Sequence, residues 1–170
     1  MDAAALRALQ APLKQAYRTD PKAGLVTLKA AGALDDARIA CNVETGRALA
    51  VAGLHPASGG SGLELCSGDM LLQALVACAG VTMKAVATAL EVPLDQASVT
   101  AEGDLDFRGT LGVDKDAPVG FAAIRLSFEV KSDAPQEKLD QLLKLTERYC
   151  VVYQTIRNGP PAEITLSRRS

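Results

Sequence analysis

The sequence predicts an α+β domain in which a mostly antiparallel sheet is wrapped on a long central apolar helix. Residues 67–90 are rich in Leu, Met and Ala and carry no charge between Met70 and Met83, as expected for a buried helix. Several other segments alternate between apolar and polar side chains, which is typical of half-buried strands. Two further segments have the apolar spacing of amphipathic helices.

In chain order the pattern predicts a helix, three strands, the long helix, two strands, a helix and a last strand. The ranges are 2–17, 24–31, 37–43, 48–53, 67–90, 97–107, 121–131, 135–149 and 162–166, with a helical turn over 151–157. A turn near Gly32 or Asp35 would join the first two strands. Ser67 is the expected N-cap of the long helix. Leu142 and Leu143 are expected to face the core.

Composition and charge exclude several classes of function. The formal net charge of −2 gives no basic surface, so we expect no nucleic-acid partner. The uncharged run is too short to span a bilayer and ends at Lys84, so we expect no membrane segment. Residues 1–25 lack the apolar core of a secretory signal, which favours a cytoplasmic location.

Four cysteines are the main candidates for chemistry, at positions 41, 66, 78 and 150. They are too few for a disulfide scaffold, and no Cys-x-x-Cys pair occurs. His55 is the single histidine, so we expect neither a metal site nor a cofactor. Because free cysteine is often simply buried, each thiol is either reactive or a packing residue. Cys41 falls in a predicted strand and Cys66 at the start of the long helix.

Two segments carry a resemblance to a known family. Cys78 lies within SGDMLLQALVACAG, and Cys150 lies within ERYCVVYQTI about seventy residues later. This pair, with the element order over roughly residues 18–168, resembles the OsmC/Ohr family of osmotically inducible and organic hydroperoxide resistance proteins. The resemblance implies an OsmC-like domain over 18–170, a helical extension over 1–17, and an intertwined homodimer with active sites between subunits.

The resemblance further implies a two-cysteine thiol peroxidase. Cys78 would attack an organic hydroperoxide, Cys150 would resolve the product as a disulfide, and an external dithiol would reduce it. The family also uses an arginine from the N-terminal region and a carboxylate just before the central helix, for which Arg18 and Asp69 are the best matches. Two departures stand out: Gly68 occupies the usual carboxylate position, and Val151 follows the second cysteine in place of proline.

The residues themselves limit how such a site is built. Cys78 lies about three turns into its helix, where the helix dipole gives little help, so it needs a cation from elsewhere. The candidates are Arg18, which we favour, and Arg38, Arg47, Arg148 and Arg157. Asp69 precedes Cys78 by nine residues, on the opposite helix face and about 13 Å away along the axis. A site that uses both must therefore join two subunits.

Other interpretations of these residues stay open. Arg18 is alternatively a solvated residue of a turn. Asp69 is alternatively an acidic residue that is stabilised by the positive end of the helix dipole. Cys150 would lie at the N-terminus of the 151–157 turn, where a thiolate is favoured, which predicts that it is the more acidic thiol. Alternatively, Cys150 is a packed residue beside Tyr149. The corresponding functions are a peroxidase, an apolar small-molecule-binding domain with packed cysteines, and a redox sensor that does not turn over.

Overall fold

The structure, a computed structural model, describes residues 3–34, 41–43, 53–63 and 65–168. The helices within these residues are α1 (Ala3–Thr19), α2 (Ser67–Ala89), α3 (Phe107–Thr110), α4 (Gln136–Tyr149) and α5 (Val151–Asn158). The strands are β1 (Leu25–Leu34), β2 (Cys41–Val43), β3 (Gln96–Asp106) and β4 (Phe121–Lys131). Two 3₁₀ turns, Pro21–Gly24 and Pro56–Ser58, complete the described elements.

The four strands form one antiparallel sheet in the order β2-β1-β3-β4. In β3, Val99 and Ala101 are buried on the face that meets α2, as the alternation in the sequence predicts. Gly103 lies under the ring of Phe121, where a Cβ atom would come within 2.4 Å of the ring. The predicted fold class, an α+β domain with a mostly antiparallel sheet on a long apolar helix, is confirmed.

Helix α2 buries one face in the centre of the domain. It packs on the sheet and on α4 and α5 through a stripe of buried side chains: Leu72, Leu75, Val76, Ala79 and Met83. Among the described residues, α2 is long and apolar enough to cross a membrane, but a core helix meets the same two criteria. Its packing in the domain identifies it as a core helix.

The opposite face of α2 is also mostly apolar, but the residues that the structure describes leave it exposed. Leu71 and Val81 are 40% and 38% exposed. They belong to a stripe with alternating spacings of four and three residues, which we call the α2 stripe: Ser67, Leu71, Ala74, Cys78, Val81, Ala85 and Thr88. This spacing is that of a helix seam that packs against another helix. The expectation of a helix buried all round therefore holds for only one face of a single chain.

The start of α2 differs by one residue from the prediction. The N–H of Met70 donates to the carbonyl oxygen of Cys66 at 3.0 Å, which makes Cys66 the N-cap in place of Ser67. The Cys66 side chain makes no capping hydrogen bond. Asp69 lies in the first turn, where its negative charge meets the positive end of the helix dipole.

The end of α2 is a Schellman motif. The N–H of Val92 donates to the Ala87 carbonyl at 2.9 Å, and that of Glu91 donates to the Thr88 carbonyl at 3.2 Å. Val92 then packs against Met83 in a second apolar cluster. The motif needs a left-handed residue, and Glu91 supplies it with φ of 54°.

Three other expectations differ from the structure. Gly32 pairs with Val43 inside β1, so the chain does not turn there. Leu143 is 50% exposed, because the buried stripe of α4 runs through Leu142 and Thr146. Residues 162–166 form no strand in the single chain. The predicted strand 48–53 and the alternative turn at Asp35 fall mostly outside the described residues.

Glu91→Gly is expected to raise the free energy of unfolding by about 0.5–1 kcal/mol, because a left-handed backbone is strained for a residue with a Cβ atom. The measurement is urea unfolding followed by circular dichroism. Glu91→Ala is the matched control, since it removes the same carboxylate but keeps the Cβ atom. Equal gains for the two variants would show that the charge, and not the backbone, is the source of strain.

Candidate active site

The structure brings two thiols into contact in the core. Helix α2 carries Cys78, and the junction between α4 and α5 carries Cys150. Cys150 belongs to the buried cluster that contains Leu72 and Leu75, Cys78 packs against the same cluster, and the two thiols are close enough for Cys78 to raise the pKa of Cys150. Both are free thiols. Two elements far apart in sequence thus present a pair of neighbouring sulfur atoms.

Cys150 ends one helix and begins the next. Its N–H donates to the Thr146 carbonyl at 3.0 Å, and its carbonyl accepts from the N–H of Gln154 at 2.9 Å. The residue is 1% exposed. This double capping position fixes the sulfur of Cys150 between α4 and α5, facing α2.

The prediction that Cys150 is the more acidic thiol is wrong. The pKa of the Cys150 thiol is raised to about 11, mainly by burial and to a smaller extent by the neighbouring Cys78. The backbone N–H groups of Tyr153 and Val152, in the first turn of α5, act in the opposite direction. The start of α5 therefore lowers the pKa of Cys150, as the sequence predicts. Burial of the sulfur raises this pKa by more than the helix terminus lowers it.

Cys78 has a different environment on its two sides. It contacts the core cluster and Cys150, yet it is only half-buried because it also belongs to the α2 stripe. Its carbonyl accepts a hydrogen bond from the Thr82 hydroxyl at 2.7 Å. Of the two neighbouring thiols, Cys78 is the one that a molecule from outside the core reaches first.

Arg18 is exposed in the last turn of α1, not in a separate polar turn. Helix α1 packs on the two 3₁₀ turns and on α3, and no hydrogen bond or ion pair of the described structure joins Arg18 to Cys78. Two other candidate cations have partners elsewhere, since Arg148 lies over the Tyr149 ring and Arg157 pairs with Glu147. Arg38 and Arg47 lie outside the described residues. The cation that would activate Cys78 therefore stays a prediction.

Asp69 lies near a histidine. Burial raises the pKa of the Asp69 carboxyl, and the nearby His55 acts against that rise. The Nδ1 atom of His55 accepts the N–H of Ala57 at 3.0 Å, and its ring stacks on Phe107 at 4.9 Å between centroids. Sequence reasoning missed this neighbour, although a lone histidine before Pro56, in the loop that leads to α2, was the available signal.

The loop that carries His55 is held by the N-terminal helix. The Tyr17 hydroxyl donates to the Ala57 carbonyl at 2.5 Å, and the Gln10 amide donates to the Ser58 carbonyl at 3.3 Å. Gly60 closes the loop against Leu54, where a Cβ atom would collide with the backbone. Helix α1 thus fixes the loop next to the start of α2.

The Phe107 ring, on which His55 stacks, is itself anchored. It follows Asp106, whose carboxylate is buried and accepts from the backbone N–H and the Nε of Arg108 at 3.0 Å. The Arg108 guanidinium holds the pKa of Asp106 below its usual range. This ion pair fixes the end of β3 and with it the surface that supports His55.

A metal centre is not apparent in the described part of the chain, where no group of three or more His, Cys, Asp and Glu side chains could hold an ion. The chemistry that the described residues can supply is that of two adjacent thiols, with a carboxylate in the first turn of α2 and an imidazole in the loop before that helix.

The chain matches the family of OsmC-like proteins over residues 60–165, and it belongs to that family. No curated protein matches it. One similar solved structure is an OsmC-like hydroperoxide resistance protein from Jannaschia sp. CCS1, with a TM-score of 0.57 and 16% identity over 83% of this chain and 91% of that one. Another is an OsmC-like protein from Mycoplasma pneumoniae, with a TM-score of 0.54 and 14% identity over 78% and 85% of the two chains.

In the folded protein at pH 8, Cys150 is expected to react with iodoacetamide much more slowly than Cys66. A pKa near 11 instead of 9.0 leaves about a hundredfold less thiolate at this pH, and burial blocks access as well. Peptide mapping by mass spectrometry measures both rates, and the Cys150 rate should rise as the pH approaches 11. Unfolding in guanidinium chloride is the control and should make the rates equal; equal rates in the folded protein would contradict the buried placement.

Proposed function

We propose that this protein is a thiol peroxidase that reduces organic hydroperoxides through Cys78 and Cys150. The observation that carries the proposal is the contact between a half-buried and a fully buried thiol, in a chain of the OsmC-like family. The similar protein from Jannaschia is a hydroperoxide resistance protein, which agrees with this chemistry.

The reaction needs only thiols and a reductant. The Cys78 thiolate attacks the distal oxygen of the hydroperoxide, the O–O bond breaks, and the alkoxide takes a proton to leave as an alcohol. The Cys78 sulfenic acid then condenses with the Cys150 thiol, which forms the disulfide and releases water. An external dithiol returns two electrons and two protons by thiol–disulfide exchange and is itself oxidised to a disulfide. A reducing cytoplasm is the compartment that suits this cycle.

The surroundings of the two cysteines indicate which one attacks the hydroperoxide and which one then forms the disulfide. Cys78 lies on the α2 stripe and is open to an incoming hydroperoxide, whereas Cys150 is 1% exposed and touches Cys78. A buried thiol with a high pKa is poorly suited to meet a substrate from solvent. It is well placed to react with a sulfenic acid on its neighbour, because contact replaces diffusion.

A second copy of the chain would complete the site. The α2 stripe is apolar and uncovered, and a helix that is apolar on all sides is stable in water only when all sides are covered. If two α2 helices pack antiparallel about Ala74, a small and exposed residue, the first turn of each would lie level with Cys78 of the other. The homodimer would thus bring the start of the partner's α2, about 13 Å away within one chain, to the level of Cys78, although Asp69 itself lies on the helix face opposite the α2 stripe.

Cys78→Ser is expected to abolish the reduction of cumene hydroperoxide in the presence of a small dithiol, a loss of at least about 10³-fold, because the nucleophile is gone. Cys150→Ser should still consume one equivalent of hydroperoxide and stop as a sulfenic acid, which dimedone traps on Cys78. Cys66→Ser is the matched control and should keep the native rate.

Intact-mass spectrometry after one equivalent of cumene hydroperoxide checks the same scheme in the native protein. A loss of two hydrogen atoms that maps to Cys78 and Cys150 is expected. Native turnover by the Cys78→Ser protein would contradict the proposal. If the disulfide forms but the dithiol does not reduce it for a further cycle, the protein is a redox sensor and not a peroxidase.

Val81→Glu is expected to convert the protein to a monomer and to lower peroxidase activity, since a charge cannot be buried unpaired between two α2 stripes. Sedimentation velocity measures the mass, and circular dichroism checks that the fold is kept. Val119→Glu, at a position of the β3–β4 connection that is also exposed, is the matched control and should remain dimeric. A native protein that sediments as a monomer would exclude the composite site.

A further inference from the structure

The junction between α4 and α5 consists of one residue, Cys150. Its backbone is extended, with φ of −70° and ψ of 104°, so the chain changes direction between the two helices at this point. The angle between α4 and α5 therefore depends on one pair of backbone dihedrals and on the contacts that join the helices to each other. That angle sets where the Cys150 sulfur lies relative to Cys78 on α2.

Helix α5 is short, and its apolar packing is incomplete. It has eight residues, and none of its side chains is fully buried. Val152, Tyr153 and Ile156 are partly buried against the core cluster. A helix of this length is marginal without tertiary contacts. Polar contacts between α5 and α4 therefore have a large share in fixing the orientation of α5.

Two polar contacts from α5 meet at Glu147, in the last turn of α4. The Gln154 amide donates to the Glu147 carbonyl oxygen at 2.8 Å, and the Arg157 guanidinium pairs with the Glu147 carboxylate. The Asn158 amide donates to the side-chain oxygen of Gln154 at 3.0 Å and so orients it. We call the contacts of Gln154 and Arg157 with Glu147 the Glu147 clamp. The clamp joins α4 to α5 across Cys150.

The orientation of α5 also affects the Cys150 sulfur directly. The backbone N–H groups of Val152 and Tyr153, in the first turn of α5, lie at this sulfur and favour its charged form. The charged form is the nucleophile in disulfide formation. A change in the angle of α5 would thus move both the sulfur and the N–H groups that support its reaction.

We propose that the Glu147 clamp positions the Cys150 sulfur for bond formation with Cys78, so that its three members are positioning residues. The inference rests on the proposed function for its place in the cycle. There the Cys150 sulfur attacks the sulfur of the Cys78 sulfenic acid, the S–O bond breaks, and the hydroxyl leaves as water with the thiol proton. The clamp acts on this second step. The first step takes place at Cys78 on α2, to which no clamp residue is hydrogen-bonded in the described part of the chain.

Equilibration with glutathione measures this positioning without any peroxide. Glutathione disulfide oxidises the two thiols to the Cys78–Cys150 disulfide and is itself reduced to two glutathione thiols, so the equilibrium constant is the effective concentration of one protein thiol at the other. Arg157→Ala is expected to lower this concentration about threefold, the effect of one exposed ion pair. Gln154→Ala/Arg157→Ala should lower it about tenfold, because the hydrogen bond is lost as well. Peptide mapping by mass spectrometry quantifies the disulfide.

Arg157→Lys and Arg125→Ala are the control variants for this measurement. Arg157→Lys keeps the charge pair with Glu147 and should restore most of the native effective concentration. Arg125→Ala removes an ion pair with Asp104 that is similarly exposed but lies on the sheet, and it should change nothing. An unchanged value in the double variant would overturn the inference, as would an equal fall in Arg125→Ala or a failure of Arg157→Lys to restore the value. Circular dichroism checks that each variant is folded.

Dimedone competition during one turnover with cumene hydroperoxide separates the inference from the proposed function. Dimedone traps the Cys78 sulfenic acid before it condenses, so the trapped fraction reports the rate of the second step. The double variant should give several-fold more adduct than the native protein, while both consume the hydroperoxide at the same rate. A native protein that consumes no hydroperoxide would refute the peroxidase, and the glutathione equilibrium would then decide the positioning by itself. Normal consumption with an unchanged trapped fraction would refute the positioning and leave the peroxidase intact.

Discussion

The structure depends on one constraint: α2 is apolar on most of its surface, but the described residues of its own chain cover only one face. The sheet, α4 and α5 bury the face that holds Leu72, Leu75 and Val76. The other face remains as a regular stripe of small and aliphatic side chains. Because Cys78 lies where these two faces meet, it touches a buried thiol and yet stays open to the outside. The placement of the chemistry is thus a consequence of how the helix is packed.

The two thiols show how burial and a helix terminus compete. Cys150 has the N-terminal position that lowers a thiol pKa in many proteins, but it is almost completely removed from water. The charged form then loses more solvation than the first turn of α5 can replace. For a cysteine at the start of a helix to have a lowered pKa, its sulfur must therefore stay accessible to water or lie near a cation.

Local patterns predicted the elements well where they were long and periodic. The bounds of β4 agree with the prediction, those of β3 differ by one residue at each end, and those of α2 differ by one residue at the C-terminal end. The errors concern residues whose state depends on distant parts of the chain. Backbone geometry decides whether Cys66 or Ser67 is the N-cap of α2. Whether Leu143 is buried depends on where α4 meets α2. Residues 162–166 form no strand because no strand lies beside them.

The candidate site was less accessible from the residues alone. The pairing of Cys78 with Cys150 came from the resemblance to a family, since no local pattern brings α2 to the α4–α5 junction. His55 was overlooked as a neighbour of Asp69 because a loop, Phe107 and helix α1 together place it.

A disulfide between Cys78 and Cys150 would close a loop of about 70 residues and would remove about 4 kcal/mol of chain entropy from the unfolded state. The oxidised form of the protein would then be the hardest to unfold, and reduction would return the chain to a less stable form.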